Sequence, residues 1–201
     1  MKSKMLIITC VVCLFPVLFG VVVWDKLPDS MAIHFDVYNN PDNFASKTLV
    51  VFGLPLLMCL LQIVSHVTSD IQRKKYSSYE KIEMFAKWII PVMTVILQII
   101  TLGYNLGYNI DIRKIAIFLV GSMMILTGNF LPKLDYVKNF DIDTDKAIKI
   151  NKFVGIETVI MGVLFIISIF FKPLATTFIL LMLIPYSIIA LVYSMIIIKK
   201  R

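Results

Sequence analysis

Apolar residues come in six runs along the chain, Leu6–Trp24, Leu49–Val67, Trp88–Leu106, Ile115–Leu131, Phe153–Phe171 and Thr176–Ile198, with short polar stretches between them. Crossing about 30 Å of hydrocarbon takes a helix of roughly 20 residues, and each run is near that length, the fourth only just. A lone segment in hydrocarbon can satisfy its own backbone only as a helix. The pattern therefore predicts an all-α, polytopic membrane bundle of six transmembrane helices, one membrane domain over residues 1–201. Prolines 55, 91 and 185 fall inside three of the runs and predict kinks there. The stretch between the first two runs has a different rhythm. Ile33, Phe35 and Val37 alternate with His34, Asp36 and Tyr38, the period of a half-buried strand, and Asn39-Asn-Pro-Asp42 then turns the chain. A small strand-turn is expected, with His34 and Asp36 on one face and Asp42 returning near them.

Composition and charge orient this bundle. Hydrophobic residues make up 59% of the 201 and charged residues 16%, with a mean hydropathy of +0.86, well above ordinary globular composition. The net charge of +7 does not indicate nucleic acid, because the basic residues sit in the loops and nowhere form a stripe. Fifteen of the twenty Lys and Arg lie on one side of the six runs and five on the other. The positive-inside rule then places both termini, the 68–87 loop and the 132–152 loop in the cytoplasm, and Asp25–Lys47 outside. Trp24, Trp88, Tyr104 and Tyr108 fall at run ends, where aromatic rings settle at the headgroup level. The opening Met-Lys-Ser-Lys and apolar run imitate a secretory signal, but no small-x-small site follows Val23, so an uncleaved anchor is expected. Localisation is then a cell membrane, crossed several times.

Candidate chemistry is sparse. Cys10, Cys13 and Cys59 all lie inside apolar runs and read as small hydrophobes rather than a redox or zinc motif. The alternate acids Asp141, Asp143 and Asp145 lack the glycine and glutamate of a calcium loop and read as a solvated turn. Only His34 and His66 offer imidazole, on opposite sides of the membrane, so no catalytic constellation is expected and the chain is read as a non-enzyme without cofactor or metal. His34, Asp36 and Asp42 are chemically able to bind a divalent ion, but a role for His34 in fixing its own loop is preferred. Glu157 is the one carboxylate inside a run, with Asn129, Lys133 or Lys152 as expected partners; it reads as a polar pair between helices, with a proton or ligand site as the alternative. Gln98 and Gln62 read as interhelical glue.

The segment Leu27-Pro-Asp-Ser-Met-Ala-Ile-His-Phe-Asp36 with Pro41-Asp-Asn-Phe-Ala-Ser-Lys47 resembles the first-loop signature L-P-x-x-[IV]-P-x-H-[FW], turn, P-D, S-K of a bacterial membrane domain of unknown function. That domain occurs in immunity proteins of the sporulation-delaying-protein (SdpI) type, the family this sequence looks like. Leu106-Gly-Tyr-Asn-Ile-Asp111, Gly128-Asn-Phe-Leu-Pro-Lys133 and Asn151-Lys-Phe153 resemble further family blocks in the same order. Ala32 stands where proline is usual, and Phe140-Asp-Ile-Asp143 where the family often has a block with arginine, proline and tryptophan.

The resemblance implies self-resistance to a secreted antimicrobial peptide toxin, achieved by binding without catalysis. Pro28, His34, Phe35, Asp36, Pro41, Asp42 and Lys47 would then bind the toxin or fix the loop. An alternative is a signal receptor that sequesters a cytoplasmic transcriptional repressor when toxin is present, using Arg73, Lys74, Lys75, Lys133, Asn151 and Lys152 on the inner side. A second alternative is a small transporter or membrane enzyme. The expected partners are the lipid bilayer, the toxin and, in the signalling reading, the repressor; the oligomeric state stays open.

Overall fold

The computed structural model describes residues 2–75, 80–133 and 143–199, and within them each apolar run is helical. The order is α1 (Lys2–Val22), a short 3-10 turn (Trp24–Lys26), strands β1 (Ser30–Phe35) and β2 (Pro41–Ser46), a π-helical turn (Leu49–Gly53), then α2 (Leu54–Lys75) and α3 (Glu80–Asn105). There follow α4 (Ile112–Phe130), a 3-10 turn (Leu131–Lys133), α5 (Thr144–Ser168), α6 (Pro173–Leu181) and α7 (Leu183–Lys199). Six helical stretches among the described residues, Lys4–Val22, Leu49–Lys74, Ile82–Asn105, Ile112–Lys133, Thr144–Ser168 and Thr177–Lys199, are long and apolar enough to cross a membrane. The protein is a multi-pass, mostly helical membrane protein with one small two-stranded sheet. Its residues cluster into two compact units, Met1–Ile112 and Arg113–Arg201.

In the first unit, α1 offers a stripe of small residues. Thr9, Cys13, Pro16 and Gly20 are its buried positions, spaced by four, three and four. Lipid tails are as apolar as leucine, so helices in a bilayer gain chiefly from close backbone approach through small side chains. Gly20 shows the constraint, since a Cβ there would come within 2.6 Å of Val51 Cγ1. Pro16, Pro55 and Pro91 are all fully buried; Pro16 adds a fourth helix-interior proline to the three expected.

The π turn before α2 has a local cause. In that register the Leu54 N–H reaches the Leu49 carbonyl, five residues back. The Val50 carbonyl would next receive residue 55, which is proline and has no N–H. Gln98 of α3 supplies the missing donor, its Nε2 lying 2.8 Å from the Val50 oxygen. Around this point Leu27, Met31, Val50, Val51 and Leu102 form a buried apolar core, flanked by Trp24, Phe52 and Leu106. The core sits where α1 ends, α2 begins and α3 ends, directly beneath the strands.

In the second unit, α4 and α5 meet through glycine. A Cβ on Gly121 would lie 2.8 Å from the Gly162 oxygen, and one on Gly128 would lie 2.6 Å from the Gly155 oxygen; the reciprocal distances are 2.7 and 2.6 Å. Both helices thus carry glycines seven residues apart, two turns, which brings the antiparallel backbones together. Pro132 packs on Gly155 at the same place, 3.0 Å from its would-be Cβ. The last span is broken between α6 and α7 at Met182. Pro185 explains the break, because it leaves the Leu181 carbonyl without a helical donor.

The helix ends around residues 68–87 and 143–152 depart from expectation. Residues 68–75 and 80–87 are helical, residues 76–79 lie outside the described set, and α5 begins at Thr144 rather than Phe153. Hydropathy marks the part of a helix that lipid requires, whereas the helix itself continues wherever polar residues pair at helical spacing. Asp70 and Arg73 on α2 pair with Lys87 and Glu83 on α3, and Asp143 caps α5 by accepting from the Asp145 N–H at 3.2 Å. Asp141 lies outside the described residues.

Candidate functional site

β1 and β2 pair antiparallel, with Ser30 opposite Ser46, Met31 opposite Ala45, Ala32 opposite Phe44, His34 opposite Asn43 and Phe35 opposite Pro41. The register slips between Ala32 and His34 and again between His34 and Phe35. These bulges break the simple alternation read from the sequence. Met31 and Ala32 are both buried, Ile33 and His34 both exposed, and the strand ends at Phe35. His34 and Asp36 therefore do not share a strand face.

Asp36 belongs to the turn. Its Oδ1 accepts from the backbone N–H groups of Tyr38 and Asn40, both at 2.8 Å, and its Oδ2 accepts from Asn40 Nδ2 at 3.2 Å. The Asn40 and Tyr38 bonds stabilise the charged form and hold this carboxyl below its ordinary range. Asn39 takes the left-handed φ of 68° that closes the turn, a conformation asparagine tolerates. Asp42 does return to His34, and His34 Nδ1 and Asp42 Oδ1 lie 2.5 Å apart in a hydrogen bond, both side chains well exposed. Among the described residues no three His, Cys, Asp or Glu side chains are grouped to hold a metal ion.

Two clasps fix the hairpin to the helices. Lys47, only 15% exposed, donates to the carbonyls of Leu27 at 3.2 Å and Trp24 at 3.5 Å, faces Asp29 at 3.1 Å and lies 4.9 Å from the Trp24 ring centroid. An ammonium there meets the carbonyl end of the 3-10 turn that follows α1. Asn105, the last residue of α3, treats β1 as a neighbouring strand. The Ala32 N–H donates to its Oδ1 at 2.8 Å and its Nδ2 donates back to the Ala32 carbonyl at 3.0 Å. Just above, Phe35 packs edge-on against Tyr104, centroids 4.6 Å apart. Gly107, at φ 90°, then lets the chain leave α3, with Gly107 and Tyr108 N–H groups bonding Tyr104 and Gly103 carbonyls. Asn39 Nδ2 reaches the Ile110 carbonyl beyond that bend at 3.2 Å.

The outcome is a fixed platform with a free surface. Leu27, Met31, Ala32 and Lys47 face inward, whereas Ile33, His34, Tyr38 and Phe44 project outward, Tyr38 60% and Phe44 53% exposed. Pro28 is exposed ahead of β1, and Pro41 opens β2 opposite the half-buried Phe35. Asn105 is the residue that the sequence did not single out; its only signal was a polar amide ending an apolar run.

The remaining candidates sit elsewhere. Arg73 is in α2, 3.0 Å from Glu83, and Lys74 is exposed beside it, while the Lys75 side chain lies outside the described residues. Lys133 is exposed over the Phe130 ring at 5.1 Å, Asn151 is buried in α5 and Lys152 is exposed. Glu157 does not meet Asn129, Lys133 or Lys152: its Oε2 is buried without a hydrogen-bond partner. Gly128 faces α5, so Asn129, one residue on, is rotated away and exposed.

The hairpin lies within a segment that matches a known protein family. Residues 11–59, from mid-α1 through the hairpin into α2, match the family described as Domain of unknown function (DUF1648). Over 200 residues the chain is 26% identical to "Immunity protein SdpI" of Bacillus subtilis (strain 168), covering 96% of this chain and 92% of that protein. No solved structure matches the chain.

Proposed function

We propose that this chain, an SdpI-type membrane protein by its end-to-end similarity to that protein, is an immunity protein that protects its own cell from a secreted, membrane-active peptide toxin. It acts by binding, with no covalent chemistry, and both termini lie in the cytoplasm as the lysine and arginine bias requires. The hairpin is then extracytoplasmic and is the first protein surface an arriving peptide meets.

The observation that carries this reading is the combination of a clasped frame with outward side chains. Asn105 and Lys47 hold the backbone, so Ile33, His34, Tyr38 and Phe44 are presented with little ordering cost, and aromatic side chains on a rigid frame are efficient binding anchors. The exposed His34–Asp42 pair contributes under about 1 kcal/mol to stability. Its replacement therefore separates recognition from folding.

The test is survival of a sensitive bacterium that expresses the protein and is challenged with secreted antimicrobial peptides, including those encoded beside its gene. Protection is expected from the native chain and is expected to be lost in a His34→Ala, Tyr38→Ala double variant that still reaches the membrane. Full protection by that variant would remove the hairpin from the mechanism, and no protection by the native chain would remove the immunity reading.

The signalling alternative needs free basic groups on the inner side. Of the residues it would use, Arg73 is engaged with Glu83 and Asn151 is buried, whereas Lys74, Lys133 and Lys152 are exposed; the binding reading is preferred for the clasped hairpin, which has no counterpart among these residues.

A further inference from the structure

The two edges of the hairpin differ. The Lys47 N–H donates to the Asp29 carbonyl at 2.9 Å, which makes Asp29 and Lys47 a hydrogen-bonded pair of the antiparallel ladder. Bonded and non-bonded pairs alternate along such a ladder, and the register through Ser30–Ser46, Met31–Ala45 and Ala32–Phe44 is regular. Met31 and Ala45 are therefore the next bonded pair, and the backbone N–H groups of Phe44 and Ser46 and the Phe44 carbonyl point away from β1.

On the β1 side Asn105 closes the edge by taking both backbone groups of Ala32. On the β2 side no third strand follows. The Phe44 N–H is met there by the side-chain Oδ1 of its neighbour Asn43 at 2.8 Å, and Asn43 is exposed, free to swing aside. The Phe44 carbonyl and the Ser46 N–H, side by side on this edge, have no partner among the described residues. An acceptor and a donor so placed form a template for an added strand.

Charge selects the occupant. Within residues 25–47 four carboxylates, Asp25, Asp29, Asp36 and Asp42, stand against two ammonium groups, Lys26 and Lys47, a net −2 in a chain of +7. A second copy would bring the same negative charge to the edge, whereas a basic chain is attracted to it. Basic amphipathic character is also what draws a peptide to anionic lipid.

We propose that the open edge of β2 takes up a basic peptide segment in extended form, as a third strand bonded to the Phe44 carbonyl and to the Phe44 and Ser46 N–H groups. That this peptide is the toxin rests on the immunity reading above; the binding itself is measured apart from it.

The test uses the whole protein in nanodiscs of zwitterionic lipid. The probe is a blocked hexapeptide of alternating lysine and valine, equal in length to the six residues of β2, and amide hydrogen exchange is read by NMR. At millimolar concentration the probe is expected to slow exchange at Phe44 and Ser46 several-fold and to leave Ala45, already bonded to β1, unchanged. The same hexapeptide N-methylated throughout is expected to have no effect, and glutamate in place of lysine to weaken the effect several-fold. Ser46→Pro removes one outward N–H and is expected to weaken the response at Phe44 several-fold, whereas Ser46→Ala retains it. No response at Phe44 and Ser46, or an equal response to the N-methylated or the glutamate peptide, overturns the proposal. Protection of these amides without probe, growing with the number of copies per nanodisc, assigns the edge to a second copy and overturns it as well. A positive probe result beside a failed survival assay leaves the edge a site for basic peptides and removes only the toxin.

Discussion

The side-chain amide of Gln62 donates to the main-chain carbonyl of Lys87 at 2.9 Å, and that carbonyl is the one that Pro91, four residues on, cannot serve. A proline in a helix interior removes one i to i−4 donor. In water a solvent molecule repairs the loss, but in the bilayer a neighbouring helix must do so. Gln98 performs the same service for the Val50 carbonyl orphaned by Pro55. The two buried glutamines and two buried prolines are therefore matched pairs that tie α2 and α3 together.

This pairing predicts coupling. Gln62→Leu leaves the Lys87 carbonyl buried and unpaired, which costs about 1–3 kcal/mol. Pro91→Ala restores a helical N–H to that carbonyl, so in its presence Gln62→Leu is expected to cost much less. Unfolding of the four variants in mixed micelles yields the coupling energy as a double-mutant cycle. Strict additivity would show that the glutamine serves some purpose other than the carbonyl.

At the end of the same helices away from the hairpin, Lys87 is 5% exposed and holds Asp70 at 2.7 Å and Glu83 at 2.6 Å, while Arg73 holds the second oxygen of Glu83. Removing one member of a buried network leaves charges uncompensated, at about 3–5 kcal/mol. Lys87→Met is expected to lower thermal stability by that order, and Lys87→Met with Asp70→Asn and Glu83→Gln to regain most of it. If the triple variant is no better than the single one, the lysine stem rather than its charge carries the packing.

The spans were legible because apolar length is a strong signal, and the return of Asp42 to His34 was legible because Asn-Asn-Pro-Asp marks a turn. The separation of His34 from Asp36 was not, since a bulge between Ala32 and His34 leaves no trace in a period-two pattern. Helix ends were misplaced where Asp70, Arg73, Glu83 and Lys87 extend helices beyond the apolar runs. The heptad glycines at 121 and 128, and at 155 and 162, were readable as spacing, but only the structure shows them face to face. Asn105 and Glu157 show the opposite limits of the method. The first was overlooked as a helix end, and the second was noticed as an intramembrane acid whose buried Oε2 meets none of its expected partners.

Acidity is expected to loosen the hairpin turn through Asp36. Its carboxyl titrates below the ordinary value of 3.8 in the folded chain because the Asn40 and Tyr38 groups donate to its charged form. A lowered folded pKa contributes stability that is present above the carboxylate range and is lost as pH falls through the folded pKa. The amide signals of Tyr38 and Asn40 in nanodisc spectra should therefore stay constant at neutral pH and shift on acidification below about pH 4. Asp36→Asn is expected to abolish that transition, and an unchanged acid transition in this variant would assign it to another group.

Asn105 sets whether the hairpin is a platform or a loose loop. Its amide makes both hydrogen bonds with Ala32 and a third to the Thr101 carbonyl at 2.8 Å, while the pairing of β1 with β2 does not depend on it. A two-stranded hairpin is marginal by itself, so Asn105→Ala is expected to cost about 1–3 kcal/mol locally and to raise exchange at the Ala32 amide by at least tenfold, since about 1.4 kcal/mol is a factor of ten. Hydrogen exchange within α2 should change little, because the Gln98 and Gln62 bonds remain. If the immunity reading holds, this variant protects less well than native chain despite keeping every outward side chain, for the lost energy is that of holding them in place. Unchanged exchange at Ala32 would show that Lys47 and the apolar core beneath Met31 suffice to clasp the hairpin.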